Sequence, residues 1–161
     1  MHSFISFVAQ YVIFVLPLTW LAVLATLPRP QRLRFIIVSA IATILTALFV
    51  KLGTTLHQDL RPFVRDHVTP YFSSSTDNGF PSDHTAFGVL IGSVVFLYRR
   101  KLGTALVIVA LCIGAARVIS GVHHTQDIIG GALLAFLAIA LTVFIMKAAT
   151  FRATRKVRST E

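Results

Sequence analysis

Three short polar stretches interrupt a chain that is otherwise strongly apolar: Arg61-Pro62, Pro81–His84 and Arg117–Asp127. Each stretch lies at the end of an apolar run, where a helix would begin or stop. If the apolar runs cross a membrane, ionisable groups at their ends lie near the lipid, where charge is costly, and are therefore candidates for function. Their arginine, histidine and carboxylate side chains could bind an anion and transfer protons.

The arginines and one helix start favour a phosphate as that anion. Ser82 is a good N-cap for the apolar run that follows it, and Pro81 prevents the helix from extending backwards. A helix N-terminus offers unpaired N–H groups and a positive dipole end, and both attract anions. Arg61 and Arg117 add two guanidinium groups, the side chains that best match phosphate oxygens.

A histidine and a carboxylate in the third stretch could supply a nucleophile. His123 and Asp127 are spaced i, i+4, so they share one face if the last helix has begun by His123. The carboxylate can accept the Nδ1–H of the imidazole and leave Nε2 free to attack. His84 is a second imidazole, which could protonate the leaving oxygen as a general acid.

Five apolar segments would have to position these groups. The chain is 55% hydrophobic and 13% charged, with a mean hydropathy of +0.78, whereas soluble domains carry about 25% charged residues. This composition predicts an all-α integral membrane bundle in one domain, residues 1–161, with about five transmembrane helices. A soluble bundle would need more polar surface. The segments are residues 4–27, 35–56, 84–98, 102–122 and 128–146.

The placement of charge predicts how the bundle is oriented. The net charge of +9 does not indicate nucleic acid, because 11 of the 15 basic residues lie on one side of the bundle, in two loops and in the C-terminal segment that begins at Lys147 and includes the basic tail, about 150–161. The positive-inside rule makes that side cytoplasmic and places the N-terminus outside. All six histidines and five of the six acids lie on the other side. We therefore expect a multi-pass protein of the inner or plasma membrane whose site faces outward.

The third segment is short for a membrane span. Residues 82–98 would measure about 25 Å as a helix, against a hydrocarbon core of about 30 Å. If Arg99 marks the inner interface, Ser82 and His84 lie at or just below the outer one. The polar groups should then line a recessed cup.

At these residues the chain resembles the type 2 phosphatidic acid phosphatase superfamily of membrane lipid phosphatases. The signature of that family is a lysine followed by Arg-Pro, then Pro-Ser-Gly-His, then Ser-Arg-x5-His-x3-Asp. Arg61-Pro62, Pro81–His84 and Arg117–Asp127 match it in order and spacing. The resemblance extends from about Lys51 to Gly131.

The resemblance implies a mechanism without metal or other cofactor. His123 would form a phosphohistidine, Asp127 would orient it, and His84 would protonate the leaving group. Arg61, Arg117 and Ser82 would hold the phosphoryl oxygens.

Two departures from the signature bear on the binding of phosphate. The lysine position of the family is Thr54 here, and Lys51, one helical turn earlier, is the candidate to replace it. Asp83 stands in place of the glycine. Its N–H can still bind phosphate, although its carboxylate would repel the anion unless it turns away.

The form PSDH, preceded by Asp77–Phe80, resembles the branch that dephosphorylates undecaprenyl diphosphate in bacterial envelopes. A polyprenyl diphosphate is therefore the expected substrate, with membrane lipids as the surroundings. Alternatives are phosphatidylglycerophosphate, phosphatidate or a lipid A phosphate. A non-enzymatic metal-binding membrane protein that uses His123 and Asp127 is disfavoured, because Arg61 and Arg117 would repel a cation.

Overall fold

The computed structural model describes the backbone of residues 1–158 and the side chains of residues 1–151. Within this part the regular elements are all helical, apart from an isolated bridge between Leu60 and Asn78. A 3-10 turn, Val12–Phe14, joins the first two helices. The helices are α1 His2–Tyr11, α2 Val15–Thr26, α3 Arg29–Leu56, α4 Pro62–Arg65, α5 Asp83–Phe96, α6 Arg100–Ile119 and α7 Thr125–Arg158.

Four apolar helical runs are long enough to cross a membrane. They are His2–Thr26, which combines α1, the 3-10 turn and α2, then Arg29–Leu56, Arg100–Ile119 and Thr125–Phe151. Helix α5 is the shorter fifth segment. The prediction of an all-α membrane bundle is confirmed. The boundaries differ by up to six residues, except that α7 continues twelve residues beyond the predicted end at residue 146. The predicted basic tail begins inside α7, and residues 159–161 lie outside the described part of the chain.

Helix α5 lies at the centre of the bundle and packs against α2, α3, α6 and α7. It has 14 residues, which gives a length of about 21 Å. Helix α6 approaches it closely, since a Cβ at Gly92 would lie 2.7 Å from the backbone nitrogen of Val107. Helix α5 is shorter than α3, α6 and α7, and its first residues line the cavity that holds the predicted site.

The outer surface of the bundle is apolar. Leu18, Ile44 and Phe144 are 64%, 67% and 68% exposed, and each belongs to a run of membrane-spanning length. Such a surface suits lipid and would be unfavourable in water. The chain is therefore a multi-pass membrane protein.

Candidate active site

A cavity of about 320 Å³ lies at the end of the bundle where α3 ends and where α5 and α7 begin. All three motifs contribute to its walls, as the sequence predicts. Its polar character contrasts with the lipid-facing surface around the helices. The lining residues are Thr54, Arg61, Ser74, Ser75, Asp77, Asn78, Pro81, Asp83, His84, Arg117 and His123.

His123 lines this cavity, and its partner Asp127 is buried behind it. His123 Nδ1 lies 3.1 Å from Asp127 Oδ2, and the same oxygen accepts the backbone N–H of His124 at 2.9 Å. Asp127 is fully buried, and His123 is 3% exposed. With Nδ1 facing a carboxylate, Nδ1 carries the proton and Nε2 presents its lone pair to the cavity.

The pair does not arise in the way the i, i+4 spacing suggested. Helix α7 begins at Thr125, so His123 precedes it. Gly121, with φ +71°, reverses the chain after α6 and brings His123 back toward the first turn of α7. Asp127 then accepts bonds from both residues ahead of the helix, which combines N-terminal capping with orientation of the imidazole.

Burial is the main cause that lowers the pKa of His123 below its ordinary value. The charges of Arg117 and Arg61 act in the same direction, and the bond to Asp127 opposes them. A lowered pKa keeps the imidazole neutral at pH 7, which is the form a nucleophile needs.

Every nitrogen of the Arg61 guanidinium has a partner. NH1 donates to the carbonyl of Val122 at 3.1 Å and lies 3.3 Å from His123 Nε2. Nε and NH2 donate to one oxygen of Asp77, at 3.1 and 2.8 Å. Ser75 Oγ donates to that oxygen at 2.7 Å. The Ser75 hydroxyl, followed by Arg61, lowers the pKa of Asp77, so this carboxylate is ionised at neutral pH.

Arg117 is the second arginine of the cavity, and its guanidinium group has fewer hydrogen-bond partners than that of Arg61. It is buried near the end of α6, and its NH1 donates to the carbonyl of Ala9 at 3.1 Å. Its buried Nε has no partner among the described residues. Since an unpaired buried donor is expensive, this nitrogen fits an anion that enters the cavity.

The second motif opens α5 as predicted, with one difference in detail. Ser82 occupies the N-cap position, but its hydroxyl makes no capping bond. It is fully buried behind the cavity and accepts a bond from Thr85 at 3.3 Å. Asp83 and His84, the first residues of α5, line the cavity instead.

Lys51 and Thr54 occupy different environments on α3. Lys51 is exposed and is not among the cavity's lining residues, whereas Thr54 lines it. A lysine contribution from position 51 therefore finds no support in the geometry. Lys51 lies three residues before Thr54, which is about 4.5 Å along the helix axis, and its binding of phosphate stays a prediction.

Asn78 organises the loop that carries Asp77, a role that the motif comparison missed. Its amide group donates to the carbonyls of Thr54 and His57, at 3.0 and 2.9 Å. Its Oδ1 accepts the backbone N–H of Asp59 at 2.8 Å and of Phe80 at 3.1 Å. The sequence signal for this loop was the Asp-Asn-Gly run, which is typical of a turn.

A second polar cluster shares Asp127 with the His123–Asp127 pair. Ligand-type atoms of Asp59, His124 and Asp127 lie within 4.8 Å of one another. Arg65 donates to Asp59 at 2.8 Å and lies 2.7 Å from His124 Nε2, while Gln126 donates to Asp59 at 2.6 Å. The cation held by this cluster is thus the Arg65 guanidinium, which would oppose binding of a metal ion.

A helical membrane bundle with a buried histidine–aspartate pair and two arginines at one end defines a class, the integral membrane enzymes that act on phosphoric esters. The chain belongs to the PAP2 superfamily, since the family model matches residues 32–151. Membership makes it a phosphoric ester hydrolase, as its motifs predicted.

Two relatives and one solved structure are similar to this chain. "Bacitracin transport permease protein BcrC" of Bacillus licheniformis is 33% identical over 145 residues, which are 89% of this chain and 70% of the relative. "Putative undecaprenyl-diphosphatase YbjG" of Escherichia coli (strain K12) is 32% identical over 137 residues, 83% of this chain and 67% of the relative. The crystal structure of Aquifex aeolicus LpxE shares the fold, with a TM-score of 0.72, 23% identity and coverage of 88% of this chain and 84% of that chain.

Proposed function

We propose that the protein hydrolyses a polyprenyl diphosphate, of the undecaprenyl type, to the monophosphate and inorganic phosphate through a phosphohistidine. The observation that carries this proposal is the position of His123 Nε2. It lies 3.3 Å from Arg61 NH1, with a carboxylate behind the ring. A phosphorus atom bound by Arg61 would therefore meet the lone pair of Nε2. The Escherichia coli relative is named as a putative undecaprenyl-diphosphatase, which supports the choice of substrate.

The first step exchanges one bond to phosphorus for another. His123 Nε2 attacks the terminal phosphorus and forms the N–P bond, while the bond from that phosphorus to the bridging oxygen breaks. The bridging oxygen leaves with the lipid monophosphate and takes a proton from His84. Arg61 and Arg117 stabilise the charge on the oxygens of the transferring group.

The second step regenerates the histidine. Water attacks the phosphorus of the phosphohistidine, His84 takes a proton from that water, and the N–P bond breaks to release inorganic phosphate. His84 reverses its role between the two steps, as an acid that also serves as a base must. Asp127 holds the ring in one orientation through both steps.

A panel of lipid phosphates in detergent tests the choice of substrate. The expected ranking by kcat/KM places polyprenyl diphosphate above phosphatidate, phosphatidylglycerophosphate and a lipid A phosphate. A higher kcat/KM for any of the three others would reject the diphosphate assignment, and it would leave the phosphohistidine chemistry intact.

Asp77 occupies the place on Arg61 that a phosphoryl oxygen would take. Substrate binding then replaces the two bonds to Asp77 with bonds to phosphate, and the carboxylate opposes that exchange. Asp77→Asn should lower the Ki for inorganic phosphate several-fold, because the competing charge is removed while a neutral acceptor remains. The measurement is inhibition of hydrolysis of a soluble aryl phosphate.

Asp66→Asn is the matched control for Asp77→Asn. Asp66 is half exposed and paired with another arginine, Arg65, and it does not line the cavity. An equal change in Ki for both variants would mean that the loss of one negative charge, and not the contact between Asp77 and Arg61, causes the effect. A raised Ki in Asp77→Asn would mean that the carboxylate positions Arg61 for phosphate.

Asp83 is proposed to tune the choice between diphosphate and monophosphate. It lies in the first turn of α5, is exposed, and lines the cavity. A carboxylate there is stabilised by the helix dipole by about 0.3–1 kcal/mol but repels a nearby phosphate. Asp83→Gly should keep or raise hydrolysis of a lipid monophosphate and lower the preference for the diphosphate.

The measurement is the ratio of kcat/KM for a polyprenyl diphosphate to that for phosphatidate, in both proteins. Asp83→Asn serves as a companion that removes the charge without changing the backbone freedom. An unchanged ratio in both variants would leave Asp83 with a role in the helix start only.

The site is proposed to face outward, with the N-terminus outside and the C-terminus in the cytoplasm. The 11 basic residues that lie away from the site support this orientation. In a Cys112→Ser background, a cysteine at the exposed Ser73 should react with a membrane-impermeant thiol reagent on intact cells. A cysteine at Lys101 should react only after lysis, and the reverse pattern would place the site in the cytoplasm.

A further inference from the structure

A second cavity, of about 450 Å³, lies at the opposite end of the bundle from the site. Its walls come from the start of α3, the turn that follows α5 and the later part of α7. Arg34 and Lys147 give it two positive charges, Gln31 and Tyr98 add hydrogen-bonding groups, and apolar side chains such as Met146 complete the walls. The cavity therefore combines a charged mouth with an apolar lining.

Its depth in the membrane follows from the helices that line both cavities. Twenty residues of α3 separate Arg34 from Thr54, which corresponds to about 30 Å. The same number of residues of α7 separates Lys147 from Asp127. Because the hydrocarbon core is also about 30 Å thick, the two cavities lie at the headgroup levels of opposite leaflets.

The positive charges of this second cavity are not compensated by the protein. The five described carboxylates lie in the loops and helix starts at the other end of the bundle. Among the described residues, neither Arg34 nor Lys147 forms an ion pair. By contrast, Arg32 is satisfied by the carbonyls of Leu27 and Ala25, at 2.9 and 2.8 Å. Arg34 and Lys147 are exposed and have no carboxylate partner among the described residues, so both charges are open to an anionic ligand.

We infer that this second cavity binds the phosphate of an anionic membrane phospholipid. An ammonium and a guanidinium from different helices can reach one phosphodiester. The acyl chains would then lie along the exposed apolar surface next to α3 and α7. Basic pockets between transmembrane helices commonly hold anionic headgroups in this way. The lipid is a structural ligand here and is not hydrolysed, since no nucleophile of the active-site kind lines the cavity.

Native mass spectrometry of the full chain, released from micelles that contain phosphatidylglycerol and phosphatidylcholine, tests this inference. The wild type should retain one phosphatidylglycerol in preference to phosphatidylcholine. Arg34→Gln/Lys147→Gln should reduce that retention about tenfold or more. Arg29→Gln/Lys101→Gln removes the same charge from exposed residues at the same end and outside the cavity, and it should retain the lipid.

Two further arms make the result decisive. Arg34→Lys/Lys147→Arg preserves both charges and should restore retention, and all variants should hydrolyse a soluble aryl phosphate at the wild-type rate if they fold. Millimolar inorganic phosphate should not displace the lipid. Equal loss in the control pair, equal retention of phosphatidylcholine, or displacement by inorganic phosphate would each overturn the assignment of a lipid site.

Discussion

His123→Ala should abolish turnover of every phosphate substrate while leaving the protein folded. Among the residues that line the cavity, His123 is the one whose free nitrogen is oriented by a carboxylate and lies against Arg61. Without it no covalent intermediate forms, and the expected loss in kcat is on the order of 10⁴-fold or more. The measurement is phosphate release in detergent.

His84→Ala provides the contrast that separates the two histidines. It should be severely impaired on a lipid phosphate, whose leaving oxygen needs a proton, and less impaired in the first step on an aryl phosphate with a good leaving group. His123→Ala should show no such dependence on the leaving group. If His123→Ala kept more than a small fraction of the wild-type rate, the nucleophile would have to be another residue.

Asp127→Asn should be the second most damaging change, with a loss in kcat of about 10²–10⁴-fold. Asp127 Oδ2 receives two bonds, from His123 Nδ1 and from the backbone N–H of His124. The amide can present its NH₂ to Nδ1 and hold the ring as the tautomer whose Nε2 carries the proton. That nitrogen could no longer attack phosphorus.

The pH profile distinguishes this effect from simple loss of packing. In the wild type the bond to Asp127 raises the pKa of His123 against a net lowering by burial. Removing the carboxylate lowers that pKa further, so His123 stays neutral to lower pH. The residual activity of Asp127→Asn should therefore extend to lower pH than that of the wild type. If the acidic limb of the pH–activity profile were the same in Asp127→Asn and the wild type, the role of Asp127 would be limited to capping the start of α7.

The motif spacings predicted which residues would share the cavity. Five of the eight candidates line it, and a sixth, Asp127, lies within hydrogen-bond distance of one of them. The arginines, histidines and carboxylates are costly near lipid unless they serve a purpose, so their positions carried information. The candidates in this group are Arg61, Asp83, His84, Arg117, His123 and Asp127.

Ser82 and Lys51 show where motif spacing was insufficient. A motif gives a residue's place along the helix but not the direction of its side chain. The Ser82 side chain is buried in the protein, where the Thr85 hydroxyl donates a hydrogen bond to it. The Lys51 side chain is exposed. The structure of the loop between α4 and α5 could not be predicted from the motifs either. The hydrogen bonds of Asp77 and Asn78 join residues about 16 to 24 positions apart.

Trapping of the phosphorylated protein tests whether His123 is the nucleophile. In His84→Ala an activated aryl phosphate labelled with ³²P needs no acid for the first step, but water lacks its base in the second. We expect close to one label per chain after an alkaline quench. The label should be stable to alkali, lost in acid and located on His123 by peptide mapping. Turnover without any trapped label, or a label on another residue, would contradict it.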